Sequence, residues 1–146
     1  MDHLPDITSL ELDLASLQSV RQFSEKLSRE KNLSISILIN NAGVQNIGET
    51  QYTTDGFEQT FGVNHLGAFA LTMQLLPSMK NDGHITFTSS ETHDPALKTP
   101  IEPPIYTSAQ ELAYPKETSE KRNLVGQRRY STSKLCNIMT TYELQE

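Results

Sequence analysis

The sequence predicts an α/β fold, a mostly parallel sheet with helices on both faces, and three observations predict it. A nearly unbroken β-branched run, Ile35-Ser36-Ile37-Leu38-Ile39, suits a central strand buried on both sides. Stretches with apolar residues at three- and four-residue spacing stand before and after it, so helical and extended segments alternate along the chain. Such alternation needs crossover connections, and crossovers leave successive strands parallel. The 146 residues suffice for one compact domain with a sizeable core, and nothing marks a second.

The elements follow in order. Ile7 to Asp13, with Leu10 and Leu12 on one side of an extended run, predicts a strand ending in an acidic residue. Ser16 can cap a helix in which Leu17, Val20, Phe23 and Leu27 form the apolar stripe, with Arg21, Glu25, Lys26 and Arg29 elsewhere around the wheel. The run Ile35–Ile39 stops at Asn40-Asn41-Ala42-Gly43. After a polar loop, Asp55 and Glu58 offer a capping box, and Phe57, Phe61, Leu66, Leu71, Leu75 and Met79 continue a helical pattern towards Lys80. Asp82-Gly83 marks a turn, and Ile85-Thr86-Phe87-Thr88-Ser89-Ser90 predicts another strand. From Glu91 to Arg129 periodicity fades while Pro95, Pro100, Pro103, Pro104 and Pro115 accumulate, which predicts a mostly irregular insertion or flap. From Tyr130 onwards, Leu135, Ile138, Met139 and Tyr142 share one face of a helix.

Composition narrows the partner. A formal net charge of -6 argues against nucleic acid, because neutralising phosphates needs Lys and Arg clustered on one face. The basic run Lys121, Arg122, Arg128 and Arg129 is interleaved with Glu117 and Glu120 and reads as a solvated flap. A small-molecule partner is expected. The single cysteine, Cys136, forbids an intramolecular disulfide and fits a reducing, cytoplasmic setting; it reads as a small packed hydrophobe. No run approaches the roughly 18 apolar residues of a membrane span, and Met1 to Asp6 has no secretory-signal pattern. His65 and His93 lack metal-ligand spacing, so no metal site is expected.

In parallel sheets ligands gather beyond the carboxyl ends of strands, where Asp13, the Asn40 to Gly43 turn and Ser90 are expected to fall. Tyr130 and Lys134 stand four apart, a spacing that puts both side chains on one helix face. Such a pair arises by chance in about a quarter of chains this long, so it carries weight only in company. Its company is the strand-end Ser89-Ser90, the Asn40-Asn41-Ala42-Gly43 turn and Val63-Asn64-His65. An unperturbed phenol titrates at about pH 10 and is a poor proton donor near neutrality unless an ammonium stabilises its anion, as Lys134 can for Tyr130. Ser90 can donate to a substrate oxygen that gains charge while Tyr130 gives or takes the proton. Asn64 inside an apolar helix is costly, since Asn competes for backbone hydrogen bonds. The plainer alternatives are a strand-ending turn residue for Asp13 and a tight turn for Asn40 and Gly43.

In this order and on these elements, the set resembles the short-chain dehydrogenase/reductase family, with its Asn-Asn-Ala-Gly turn, helical Asn, strand-end Ser and Tyr-x-x-x-Lys motif, over essentially the whole chain. The resemblance implies a Rossmann-type sheet and an oxidoreductase that moves a hydride between NAD or NADP and an alcohol/carbonyl substrate. It implies catalytic roles for Asn64, Ser90, Tyr130 and Lys134, with Ser90 rather than Ser89 at the catalytic position. Lys134 would also bind the nicotinamide ribose, and Asn64 would complete a proton relay through water. Asp13 would lie beside the adenine, with further cofactor contacts from Asn40, Ala42, Gly43 and Tyr130. The length of Glu91–Arg129, together with Tyr130-Ser131-Thr132-Ser133-Lys134-Leu135-Cys136-Asn137, is similar to the retinol dehydrogenase and protochlorophyllide reductase-like branches, which implies a bulky, apolar substrate.

The pattern departs from the family at its start. The family opens with a strand, a glycine-rich turn and a helix holding the diphosphate, and the glycines at 43, 48, 56, 62, 67, 83 and 126 form no such cluster. By this resemblance, residues 1–146 are expected to be a partial NAD(P)-binding Rossmann-type domain, a truncated product missing the first two and the last strands. A gap is expected in the sheet beside the strand ending at Asn40, and the fragment alone is expected to be inactive. NAD and NADP are not distinguished, because that choice rests on groups near the family's second strand. The alternative expectation is a non-catalytic remnant acting as an interaction or homo-oligomerisation module, since unpaired strand edges and uncovered apolar faces favour association.

Overall fold

The computed structural model describes residues 6–29 and 33–145. The first helix, α1, spans Leu17–Ser28, and the Ser16 Oγ at its start accepts from the Ser19 N–H at 3.2 Å. Asp55, expected to help open the next helix, instead accepts from the Leu17 N–H at 2.8 Å. Two side chains from separate segments therefore satisfy donors that the first turn leaves open. The predicted stripe holds: Val20, Phe23 and Leu27 pack with Leu71 and Leu75 and with Ile35 and Leu38.

Two strands, β1 (Ile35–Asn40) and β2 (Met79–Phe87), pair in parallel, with Leu38 opposite Ile85 and Asn40 opposite Phe87. The step from Ile35 to Ile37 on β1 faces the step from Met79 to His84 on β2, so Asp82-Gly83 is an excursion inside the strand rather than a turn before it. Thr88, Ser89 and Ser90 lie just past the end of β2, and the Thr88 N–H still donates to the Asn40 carbonyl at 2.9 Å.

Two expectations about the sheet are corrected. Residues 6–13 are not a strand: they bond to neither β1 nor β2, and a strand exists only through a partner. Leu12 and Leu14 nevertheless pack against the Val20–Leu71–Leu75 cluster. Nor, among the described residues, do helices cover both faces. Leu38 faces α1 and the helix carrying Leu71, while Ile85 and Phe87 border Thr141 and Leu144 near the chain's last helix. Alternation turns Ile37 and Ile39 the other way, and they are 61% and 64% exposed, so that face carries no helix among the described residues.

After β1 a short helix, α2 (Gln59–Phe61), opens at Glu58, a residue 1% exposed. Its two carboxylate oxygens accept from the Thr60 and Phe61 N–H groups at 3.0 and 2.8 Å. The backbone then widens into a π-helical segment, Gly62–Gly67, and returns to α geometry as α3, Ala68–Leu75. A 3-10 turn, Leu76–Ser78, follows, and Met79 already opens β2, so the helix stops short of the predicted Lys80. Pro77, with no amide hydrogen, cannot extend the ladder.

The Pro-rich stretch is mostly irregular, as predicted, apart from a 3-10 turn at Glu91–His93 and a helix, α4, at Ala109–Ala113. It is bonded to the last helix, α5, which spans Arg122–Glu143. The Ser131 hydroxyl donates to the Glu102 carbonyl at 2.7 Å, the Thr132 hydroxyl accepts from the Ile105 N–H at 3.0 Å, and Arg128 pairs with Glu102 and Glu120. The start of α5 at Arg122 rather than Tyr130 is a further correction. Its first turns carry mainly polar side chains around Gly126, where a Cβ would press on the Asn46 carbonyl and Ile47 Cα. A helix that makes contact through bare backbone shows no apolar stripe.

Candidate active site at the strand ends

Lys134 is 4% exposed, and its ammonium donates to the Thr88 carbonyl at 3.0 Å, just past the end of β2. It lies 5.6 Å from the centre of the half-buried Tyr130 ring, so the predicted helix face exists. Burial holds the Lys134 ammonium below the usual lysine pKa, because removal from water disfavours the charged form. The Thr88 carbonyl also accepts from the Asn137 amide at 3.3 Å.

Asn64 sits in the π-helical segment and is 1% exposed. Its Oδ1 accepts from the Val44 N–H at 2.7 Å, and its amide donates to the Val44 carbonyl at 2.9 Å and to the Ser133 hydroxyl at 3.0 Å. The Ser133 hydroxyl in turn donates to the Tyr130 carbonyl at 2.7 Å. The Asn64 amide is thus engaged inside the fold through its oxygen and its nitrogen. It clamps the loop that follows the Asn40 to Gly43 turn and ties that loop to α5. Gly43 completes the convergence: a Cβ there would stand 3.1 Å from Asn64 Oδ1 and 3.5 Å from Lys134 Nζ. Gly43, Asn64, Lys134 and Tyr130 therefore meet at one place.

The two serines separate chemically. The Ser89 hydroxyl donates to the Lys134 carbonyl at 3.0 Å, which commits its proton to holding α5. The Ser90 Oγ accepts from the Thr92 N–H at 3.4 Å and the Thr92 hydroxyl at 3.2 Å, leaving its own proton to offer. Three further residues stand differently. The Asn40 side chain turns inward, donating to the Thr72 hydroxyl at 3.0 Å. Exposed Asp13 accepts from the Ala15 N–H at 2.8 Å at the entry to α1. Ala42 is exposed beside Gly43.

Four participants escaped the sequence reading: Val44, Thr88, Ser133 and Asn137. Val44 and Thr88 act through their backbones, which residue type does not advertise. Asn137 is three residues after Lys134, and that helical spacing was a usable signal. His65 is held inside the fold. It stacks against Phe61 and Phe69 with ring centres 5.2 and 6.1 Å apart, and its Nδ1 lies 3.1 Å from Asn137 Oδ1. Burial lowers its pKa, partly offset by the Asn137 bond. Cys136 packs with Phe61 and Ala113, and burial pushes its thiol up to about 11.

Known proteins resemble this chain along most of its length. The model of the short chain dehydrogenase family matches residues 2–109. Retinol dehydrogenase 14 of Mus musculus is 40% identical over 136 residues, covering 92% of this chain and 36% of that protein. Polyprenol dehydrogenase of Danio rerio is 37% identical over 141 residues, covering 92% of this chain and 38% of that protein. The chain thus spans well under half the length of these relatives. A crystal structure of an uncharacterized protein from Mycobacterium paratuberculosis superimposes with a TM-score of 0.71 at 35% identity, over 93% of this chain and 42% of that one. A short chain dehydrogenase/reductase from Burkholderia phymatum, solved in complex with NAD, shares the fold at 19% identity, with a TM-score of 0.58 over 92% of this chain and 40% of that one.

Proposed function

The chain belongs to the short-chain dehydrogenase/reductase family, and from that premise we propose that its protein transfers a hydride between NAD or NADP and an alcohol/carbonyl pair. Tyr130 exchanges the proton with the substrate oxygen, Ser90 steadies that oxygen, and Lys134 serves both Tyr130 and the cofactor ribose. The observation that carries this reading is the environment of Lys134. Its ammonium is withdrawn from water yet has one hydrogen-bond partner, the Thr88 carbonyl, among the described residues. A buried ammonium carries three donors, and leaving donors unmatched is costly, so the position suits a ligand with several hydroxyl acceptors such as a ribose.

Gly43 supports the same fit, because any side chain there would close the space in front of Asn64 and Lys134. When bound, the nicotinamide supplies or takes the hydride, a chemistry no side chain provides. Ser90 donates to the substrate oxygen as negative charge gathers there. Lys134 stabilises the charge left on the Tyr130 oxygen when its proton moves. Asn64 keeps the loop after Gly43 in register and is assigned the place that completes a proton relay through water. Asn40, Ala42 and Gly43 contribute backbone along the cofactor, and Asp13 is assigned to its adenine. The two relatives are named for bulky, apolar alcohols, retinol and polyprenol, and we assign a substrate of that class.

The test is Tyr130→Phe in the full-length protein. The ring keeps its packing and loses only the hydroxyl, so turnover should fall by about 10²–10⁴-fold, the usual contribution of general acid–base catalysis, while cofactor affinity persists. Lys134→Ala should lose both. Turnover within a few-fold of the parent in Tyr130→Phe would refute the assignment. The other reading, an association module without catalysis, draws on the exposed Ile37 and Ile39. A defined oligomer with no turnover and no cofactor affinity would favour it.

A further inference from the structure

We propose that His65 and Asn137 are positioning residues, holding Lys134 in place through the Thr88 carbonyl with the His65 proton on Nδ1. This rests on the role given to Lys134 above. It starts from hydrogen-bond complementarity at one oxygen. The Thr88 carbonyl has two lone pairs and takes two donors, the Lys134 ammonium at 3.0 Å and the Asn137 amide at 3.3 Å. Because that oxygen can only accept, Asn137 must present its NH2 to it. The Asn137 Oδ1 then faces His65, 3.1 Å from Nδ1. That oxygen also only accepts, so Nδ1 must be the donor.

Phe61 and Phe69, on the same helical stretch, stack against the ring and fix its plane. Burial disfavours the imidazolium, so a neutral ring with its proton on Nδ1 is the form the network requires. The surroundings are mainly apolar, with Cys136 and Glu143 of α5 beside His65 in the same hollow. Three elements meet through these atoms: the π-helical segment, the end of β2, and α5 one turn beyond Lys134. Without the His65 donor, the Asn137 amide is free to rotate, the Thr88 carbonyl loses one of its two donors, and the Lys134 ammonium loses its fixed seat.

The experiment compares His65→Phe, which keeps an aromatic ring in the stack and deletes the donor, with His65→Asn, which returns an N–H near the Nδ1 position. Both are made in the full-length protein. Misplacing a reacting group by about 1 Å can cost about 100-fold in rate, so His65→Phe should lose kcat towards that limit, displace the pH profile of kcat/KM and leave substrate KM nearly unchanged. The Asn variant should recover most of the loss. Nitrogen-15 NMR supplies a readout that does not depend on turnover: His65 protonated on Nδ1 in the parent, and a Lys134 titration midpoint that moves in His65→Phe and returns in His65→Asn. If those signals behave so while the parent has no hydride-transfer activity, the network stands and the oxidoreductase reading falls. An unmoved Lys134 midpoint and an unchanged pH profile in His65→Phe overturn the positioning role. If His65→Phe does not fold, the parent decides, since a His65 proton on Nε2 contradicts the network.

Discussion

Replacing Asn64 by Asp changes one NH2 group into an oxygen, yet it should be among the most damaging isosteric substitutions in this chain. The Oδ1 bond from the Val44 N–H at 2.7 Å survives. The new oxygen faces the Val44 carbonyl where the amide donated at 2.9 Å, and two acceptors now confront each other. It also faces the Ser133 hydroxyl at 3.0 Å, whose proton is committed to the Tyr130 carbonyl. A lost hydrogen bond costs about 0.5–1.5 kcal/mol and an unsatisfied buried group about 1–3 kcal/mol, which together give about 1.5–4.5 kcal/mol at a site 1% exposed. The cost depends on pH with a definite sign. Burial against acceptor oxygens raises the introduced carboxyl above its unfolded value of about 3.9, against the opposing pull of the Lys134 ammonium across Gly43. The folded state then binds the proton more tightly, and the neutral acid can donate to Val44 as the amide did. The penalty is full above the folded pKa and shrinks as pH falls towards the unfolded value. Urea unfolding of parent and variant at about pH 8 and about pH 5, followed by circular dichroism, reads both effects. A difference within about 0.5 kcal/mol at the higher pH, the range of an ordinary surface change, would refute the clamp.

Two further predictions concern packing and titration on α5. Gly126→Ala should destabilise the protein by about 1–3 kcal/mol, the usual range for overpacking, because its methyl meets the backbone of Asn46 and Ile47; an unchanged melting temperature would contradict that approach. The Cys136 thiol, raised from 9.0 to about 11, stabilises the fold fully below pH 9.0, and that stability is lost as pH rises through about 11. At about 1.36 kcal/mol per unit this comes to about 2–3 kcal/mol. Lys134, lowered by burial, works with the opposite sign in the alkaline range, so the measurement is the stability gap between the parent and Cys136→Ala. That gap should narrow with rising pH, and a constant gap would show that the thiol titrates normally.

What the sequence revealed of the fold divides along a physical line. The stripe Val20, Phe23 and Leu27 was legible because it is buried through its own side chains, and periodicity records such burial. The extended stretch ending at Asp13 was misread because pairing is a property of neighbours rather than of the segment. Asp55 has the chemistry of a cap, and it caps, but the helix it serves is α1, a partner chosen by the fold. The start of α5 stayed hidden because its contact at Gly126 is made without a side chain.

The candidate site divides in the same way. Tyr130, Lys134, Asn64 and Gly43 stood out as types and spacings, and the fold brings them together. Which atoms hold them was not visible, because the partners are mainly carbonyl and amide groups of Val44, Thr88 and Tyr130. Asn64 shows the difference most plainly. A polar residue in an apolar helix signalled a special need, but it did not say that the need was a loop twenty positions earlier. Side-chain identity reports what a position can bond to; only the fold supplies the backbone oxygen or nitrogen that it does bond. A motif such as Tyr-x-x-x-Lys is therefore readable ahead of its supports, and those supports, His65 and Asn137 among them, are where sequence and structure must be read together.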